Sequence, residues 1–566
     1  MAIPRLRIKS LGKSKVNWLV LGENPASENA PWGGTMKPFD GSGAFHIATN
    51  ENEIRQLGVR GAGATVLSQA LSFGVQLAAT VVLARMLAPK DFGLVAMATT
   101  FSLLLTSFGL CGFTEAVVQR ETIDHFLVSN LFWITVGTSL LLTVGFAATG
   151  SLLAQFYRTP RIESVTVAMS VTIFLNSLSV IHLALLRRAM RYTAVSVSVV
   201  LARAVSVAAS ILLAWAGWGL WSLVVGAAAQ ALTQSVVAWI QCQWIPALPR
   251  RVAGTASVVR FGLGIYARYS LNYFAHNMDN VLVGWAFNAQ SLGFYKKSYD
   301  LFQLPASQLS DPLWHVAVSS LSRFKSDSPE YRRSFLGALS VLAFVGMALG
   351  ADLTLVAKDL IRFLLGPGWE ETGRIFMFFG PGIGVMLLYE THGWLHVSIG
   401  TVGRWFRWGV VEFIVTGLLF FLALPWGPVG IAMAWTASYW ILMIPAFWYA
   451  GRPIHLGIVP ALSAVWKFFL ASLLAACASI GVIKMIPGSL IALSEPVAVL
   501  IRIVLTSLLF AALYLGAVIL LHRGYAPLQQ FAALLREMVP RTWFSILRTP
   551  KTILPGRLPL RLPNLR

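Results

Sequence analysis

Six cations sit inside long apolar runs of this chain: Arg85, Arg203, Arg268, Lys296, Lys297 and Arg502. Acids lie within or beside the same runs, namely Asp279, Asp300 and Glu412, and also Glu115, Asp311, Asp352 and Glu390. A guanidinium fork donates paired hydrogen bonds to a phosphate or pyrophosphate. A carboxylate in a protected cavity can take up and release a proton or a sodium ion. Charged groups do not persist in hydrocarbon without partners or a wet cavity, so these residues are functional candidates by default. The chemistry they suit is the passage of a charged, polar group through the membrane.

Arg203 falls near the middle of the fifth run and Arg268 a turn or two into the seventh, and both are candidates for phosphate contact. For Arg85, Lys296 and Lys297, snorkelling or pairing with an acid is the stronger reading, although all three stay in the candidate substrate set. Arg502 reads as an interface anchor. Arg268 and Asp279 are 11 residues apart, about three turns, so they share roughly one helix face. With Tyr269, Asn272 and Asn277 that face reads as cavity lining. Asp279, flanked by Asn277 and Asn280, leads the ion-coupling candidates, followed by Asp300 and Glu412; a polar network between helices is the competing reading. Pro305 and Pro312 are expected to bend the eighth run, beside Asp311.

The elements that must position these residues are long and apolar. A helix crossing the hydrocarbon core needs roughly 20 apolar residues, and about 14 such stretches follow one another from about Ala62 to Leu521. No backbone group can stay unpaired there, so the stretches must be helices. Hydrophobic residues make up 56% of the chain and charged residues 12%, half the share of an average soluble protein, which excludes a large soluble domain. Cys111, Cys242 and Cys477 are far apart in apolar runs and read as small buried hydrophobes. The 20 Trp read chiefly as interfacial belts.

The net charge of +21 is not a nucleic-acid signature. Most of the 44 Lys and Arg fall in the N-terminal segment, the even-numbered connections and the tail, the positive-inside pattern that makes both termini cytoplasmic. Residues 1–60 are polar, carry no cleavable leader and read as a disordered cytoplasmic extension. Residues 61–245 form an N-lobe of helices 1–6 and residues 246–452 a C-lobe of helices 7–12. Residues 453–522 add helices 13–14, and 523–566 form a basic cytoplasmic tail on the anionic membrane surface. Two lobes are expected because Val59-Arg60 returns as Val259-Arg260, Val81-Val82-Leu83 as Val281-Leu282-Val283, and Phe92-Gly93-Leu94 as Leu292-Gly293-Phe294, all at an offset of 200. An even number of helices separates the repeats, so the lobes are parallel. The fold class is thus all-α: a polytopic membrane protein with two parallel six-helix lobes around a central cavity and two extra C-terminal helices.

Several segments taken in order resemble the polysaccharide flippases of the multidrug/oligosaccharidyl-lipid/polysaccharide exporter superfamily. They are Leu83–Gly93, Leu185–Tyr192, Asn277–Gly284 followed by Leu292–Tyr295, and Leu364–Trp369, and the resemblance covers most of residues 55–450. It implies translocation of undecaprenyl-pyrophosphate-linked oligosaccharide repeat units across the bacterial inner membrane for O-antigen or exopolysaccharide synthesis. The implied partners are the lipid-linked oligosaccharide, membrane lipids and other polysaccharide-assembly proteins, with no nucleic acid. No cofactor is implied beyond a coupling proton or sodium ion. A multidrug exporter of the same superfamily is disfavoured because Ala62–Leu87 contains no Asp or Glu. A peptidoglycan lipid-precursor flippase is the nearer alternative, which the basic turn at Arg187–Arg191 disfavours. A membrane polymerase or ligase would need catalytic groups on a sizeable exposed loop, and the loops here are short. Nor is there a phosphate-cradling glycine loop for ATP hydrolysis. The chain reads as a transporter and not an enzyme.

Overall fold

The computed structural model describes residues 36–40, 43, 45, 51–120, 122–250, 255–324, 328–485, 495–529 and 531–532. The side chains of some helical residues, including Arg268, Asn272 and Asp311, lie outside the described residues, as do residues 1–35 and most of the C-terminal tail. Helix follows helix: α1 (Glu51–Met86), α2 (Pro89–Gln119), α3 (His125–Ala148), short α4 (Gly150–Phe156), α5 (Arg161–Arg188), α6 (Tyr192–Trp215) and α7 (Leu220–Gln241). After the connection come α8 (Thr255–Ala286), α9 (Ala289–Leu321), α10 (Pro329–Leu365), α11 (Glu370–Ser398), α12 (Val402–Ala423), α13 (Gly427–Gly451), α14 (Ile458–Met485) and α15 (Glu495–His522). Among the described residues there is no strand, only isolated bridges between Met36 and Cys242 and between Phe39 and Phe45.

Local chemistry sets several of the boundaries. Asp124 accepts from the Leu127 amide at 2.6 Å, Asn288 from Ser291 at 2.8 Å and Ser328 from Tyr331 at 3.1 Å, each satisfying a donor that a helix start leaves without a partner. Pro89 and Pro329 open α2 and α10, where a missing N–H costs nothing. All the helices except α4 have the length to span a bilayer. Length and apolarity together mark 10 stretches, one of them running through both α12 and α13. Helices α2, α8 and α9 meet at the centre of the molecule. This is a multi-pass membrane protein.

Helix pairs recur in the two halves. α1 packs on α6, α2 on α5, α3 on α5, α5 on α7 and α6 on α7; correspondingly α8 packs on α12, α9 on α11, α10 on α11, α11 on α13 and α12 on α13. Helices α14 and α15 pack on each other and on α10. Arg502 is not merely an interface anchor: it pairs with Asp359 at 2.9 Å, and Ser507 donates to Asp352 at 3.1 Å, fastening α15 to α10. The expected bend at Pro305 does not break α9, which stays helical through it. Cys242 is buried as expected, but Cys477 is exposed on α14.

Part of the stretch expected to be disordered has structure. Helix α1 begins at Glu51, inside the 1–60 segment. Upstream of it, Met36 donates to the Gln241 carbonyl and accepts from the Gln243 amide, both at 2.9 Å. Phe39 packs edge-on against His125 and Phe45, and Arg188 lies 5.2 Å over the Phe45 ring. The two phenylalanines supply apolar anchors that the polar composition of the segment conceals.

Candidate functional site

The two halves meet along α2. Near mid-depth, the Tyr266 hydroxyl donates to the Leu104 carbonyl at 3.1 Å and Tyr273 to Thr100 at 2.8 Å, while Ser107 reaches the Tyr269 hydroxyl at 3.2 Å. Towards the start of α2 the seam tightens. A Cβ placed on Gly93 would lie 1.6 Å from the Ala289 carbonyl oxygen, and one on Gly293 would lie 1.9 Å from that of Pro89. Each repeat glycine therefore receives the backbone that precedes its counterpart, and only a residue without a side chain fits. At the same end Trp369 donates its indole N–H to the Ala84 carbonyl at 2.8 Å. Arg85 reaches the carbonyls of Phe363 at 2.6 Å and Leu364 at 3.4 Å. These contacts tie α1 to the end of α10 and the start of α11. They line a recess of about 550 Å³ that also includes Arg362.

Just behind this closure lies a buried polar group. Asp279 on α8 is 2% exposed. It accepts from the Tyr295 hydroxyl of α9 at 2.8 Å and from the Asn280 amide at 2.7 Å. Tyr295 is fully buried against Phe379. Glu412 of α12, with Thr416, Ser438 and Tyr439, shares a small recess of about 20 Å³ with Asp279. That volume holds one water-sized occupant, and the two carboxylates and three hydroxyls of its lining are oxygen ligands, the type that suits a hard cation or a hydrated proton. Glu412 also hydrogen-bonds to Tyr389, whose hydroxyl accepts from the Trp408 indole at 2.8 Å. Among the described residues no cluster of three or more His, Cys, Asp or Glu is placed to hold a metal ion.

The remaining candidates divide by position. Lys296 pairs with Asp300 at 2.6 Å, one turn along α9, so Asp300 is engaged with a cation and does not line the Asp279 recess. Lys297 is 9% exposed and stands 4.1 Å over the Phe92 ring of α2, a cation–π contact across the seam. Arg85 is exposed and serves the closure described above. Arg203 on α6 is half-buried and donates to the Gln76 amide oxygen at 3.1 Å. Among the described residues it makes no ion pair, so its charge faces a neutral partner. The side chains of Arg268 and Asn272 lie outside the described residues. Tyr295 and Trp369 stood in the sequence only as members of the family-like segments and Ser438 not at all, because only their partners on other helices give them a role.

A family model described as polysaccharide biosynthesis protein matches residues 82–374, which include the seam, the Asp279–Tyr295 pair and the Trp369 closure. The succinoglycan biosynthesis transport protein ExoT of Rhizobium meliloti (strain 1021) is 21% identical over 63% of this chain and 72% of its own. The teichuronic acid biosynthesis protein TuaB of Bacillus subtilis (strain 168) is 22% identical over 63% of this chain and 75% of its own. Among solved structures, the lipid II flippase MurJ in an inward closed conformation superposes with a TM-score of 0.66 at 15% identity, covering 82% of this chain and 99% of that one. At that identity the likeness is one of fold.

Proposed function

The chain belongs to the polysaccharide biosynthesis protein family, and from that premise we propose that it is a flippase of the bacterial inner membrane. Its cargo is an undecaprenyl-pyrophosphate-linked oligosaccharide repeat unit, moved from the cytoplasmic to the periplasmic leaflet. The glycan and pyrophosphate cannot cross ~30 Å of hydrocarbon unaided, since an unpaired charge there costs several kcal/mol or more. Two halves that part and rejoin along α2 provide a protected route with no covalent step, so the chain acts as a transporter. The observation that carries the reading is the α2 seam. It is closed at one end by a glycine crossing too tight for any side chain, with buried ionisable groups directly behind it.

In this reading Arg203 holds the pyrophosphate during passage and Asp279 with Glu412 binds a coupling proton or sodium ion. The half-buried position of Arg203 and its neutral partner Gln76 support the first role. The shared oxygen-lined recess supports the second. The glycine crossing faces the periplasm and both termini lie in the cytoplasm, in keeping with the arginine-rich turns at the other end of the bundle.

A flipping assay in proteoliposomes with a fluorescent undecaprenyl-pyrophosphate oligosaccharide tests this. Wild type should translocate the lipid. Arg203→Ala should be slowed roughly 10- to 100-fold, the loss of one charge-assisted hydrogen bond of about 1.5–3 kcal/mol in the path, with Arg203→Lys intermediate. Movement of drug cations with no movement of any polyprenyl-linked glycan would overturn the assignment.

A further inference from the structure

We propose that the recess between α3, the α7–α8 connection and the first turns of α8 binds an anionic phospholipid of the surrounding bilayer. The recess has a volume of about 1060 Å³. This is the scale of a small-molecule site and ample for a phosphate headgroup with the upper part of an acyl chain.

One wall is built with unusual care for a connection. The Ala247 amide donates to Ser129 at 3.0 Å, and the Trp133 indole donates to the Ala247 carbonyl at 2.9 Å. The Asn130 side chain takes both backbone groups of Arg250, donating to its carbonyl at 2.6 Å and accepting from its amide at 3.0 Å. Asn130 is 6% exposed. The connection is thus pinned to α3 and presents Arg250 at a set position, with its guanidinium 4.7 Å over the Phe126 ring. The facing wall brings Arg260 and Leu263 from α8. Both arginines are exposed, and among the described residues no Asp or Glu lines the recess.

The chemistry of the lining selects the occupant. Two arginines beside an apolar floor that includes Ile134 complement one phosphate carrying a hydrocarbon chain. A glycan would find little to bond with, because the Asn130 amide is already committed to the Arg250 backbone. The mouth faces lipid: Ile245 and Leu248 on the connection are 79% and 78% exposed, and Trp133 is 40% exposed with its N–H pinned inward. It also lies at the arginine-rich end of the bundle, at headgroup level for the anionic leaflet. Because one wall belongs to α3 and the other to α8, a bound lipid touches both halves of the protein at the end opposite the glycine crossing.

The test reads lipid retention and does not depend on transport, so it stands apart from the flippase reading. Full-length protein in detergent, doped with phosphatidylglycerol or phosphatidylcholine, is released for native mass spectrometry. Phosphatidylglycerol should be retained in preference to phosphatidylcholine. The paired substitution Arg250→Gln with Arg260→Gln should weaken that retention about tenfold or more. Ile134→Trp, which fills the floor and keeps both charges, should weaken it as well. Equal retention of the two lipids would overturn the proposal, as would undiminished phosphatidylglycerol binding in both variants. So would displacement by undecaprenyl-pyrophosphate oligosaccharide but not by excess phosphatidylglycerol, since it would make the recess a station for the carrier lipid.

Discussion

Gly93→Ala and Gly293→Ala should each nearly abolish transport while leaving the protein folded in the membrane. The added Cβ would stand 1.6 Å from the Ala289 oxygen at Gly93, or 1.9 Å from the Pro89 oxygen at Gly293. Both obstacles are backbone atoms at helix starts, which cannot swing aside as a flexible side chain would. Overpacking of this kind costs about 1–3 kcal/mol or more. The cost falls only on the arrangement in which the starts of α2 and α9 touch, so the balance shifts about 10- to 100-fold towards the parted arrangement. Reagent access to a reporter cysteine at Ala289, which is partly buried in the touching arrangement, should rise in step with the loss of transport. Gly137→Ala, where the new methyl meets nothing within 4 Å, serves as the neutral comparison. Normal transport and unchanged labelling in both seam variants would remove the crossing from the transport cycle.

Asp279→Asn should uncouple transport from its driving ion. The asparagine keeps one acceptor oxygen for the Asn280 amide, and its Nδ2 can donate to the Tyr295 hydroxyl oxygen in place of the second carboxylate oxygen, so the side-chain shape is kept while the charge is lost. Wild-type transport should respond to an imposed proton or sodium gradient. The variant should lose that response and fall at least about tenfold in rate, the order expected when a buried charged hydrogen-bond partner is removed. Asp279→Ala should cost fold stability besides, by about 1–3 kcal/mol, because it strands the fully buried Tyr295 hydroxyl without its acceptor. Glu412→Gln belongs in the same comparison because that residue lines the same recess. A full gradient response in both Asp279→Asn and Glu412→Gln would sink the coupling role.

Much of the scaffold is legible along the chain because bilayer thickness and backbone hydrogen bonding leave so few options. The eighth apolar run, expected over 292–320, is α9 at Ala289–Leu321, and the tenth, expected over 373–399, is α11 at Glu370–Ser398. Asp279 was legible for the same reason: a carboxylate between two asparagines inside an apolar run demands an explanation. What the chain alone did not disclose is pairing across helices. Tyr295 looks like an ordinary aromatic until α8 and α9 bring it onto Asp279. Arg85 looks like a snorkelling cation until the end of α10 arrives beneath it. Asp300 shows the converse: Lys296 is only one turn away, a pairing that sequence spacing could have revealed. Gly93 and Gly293 were visible as repeat markers, but their steric purpose depends on the two halves being set face to face.

That crossing has a consequence for how such a chain could arise. A half-length protein pairing with itself about a two-fold axis would meet its own glycine there, so one substitution would strike both sides of the contact at once. After duplication and fusion the two positions are encoded separately and are free to differ, yet each still contributes one side of the same gap. Elsewhere the two halves share only short matching segments. At this point on the axis one steric requirement is written twice in the gene, and a change in either copy breaches it.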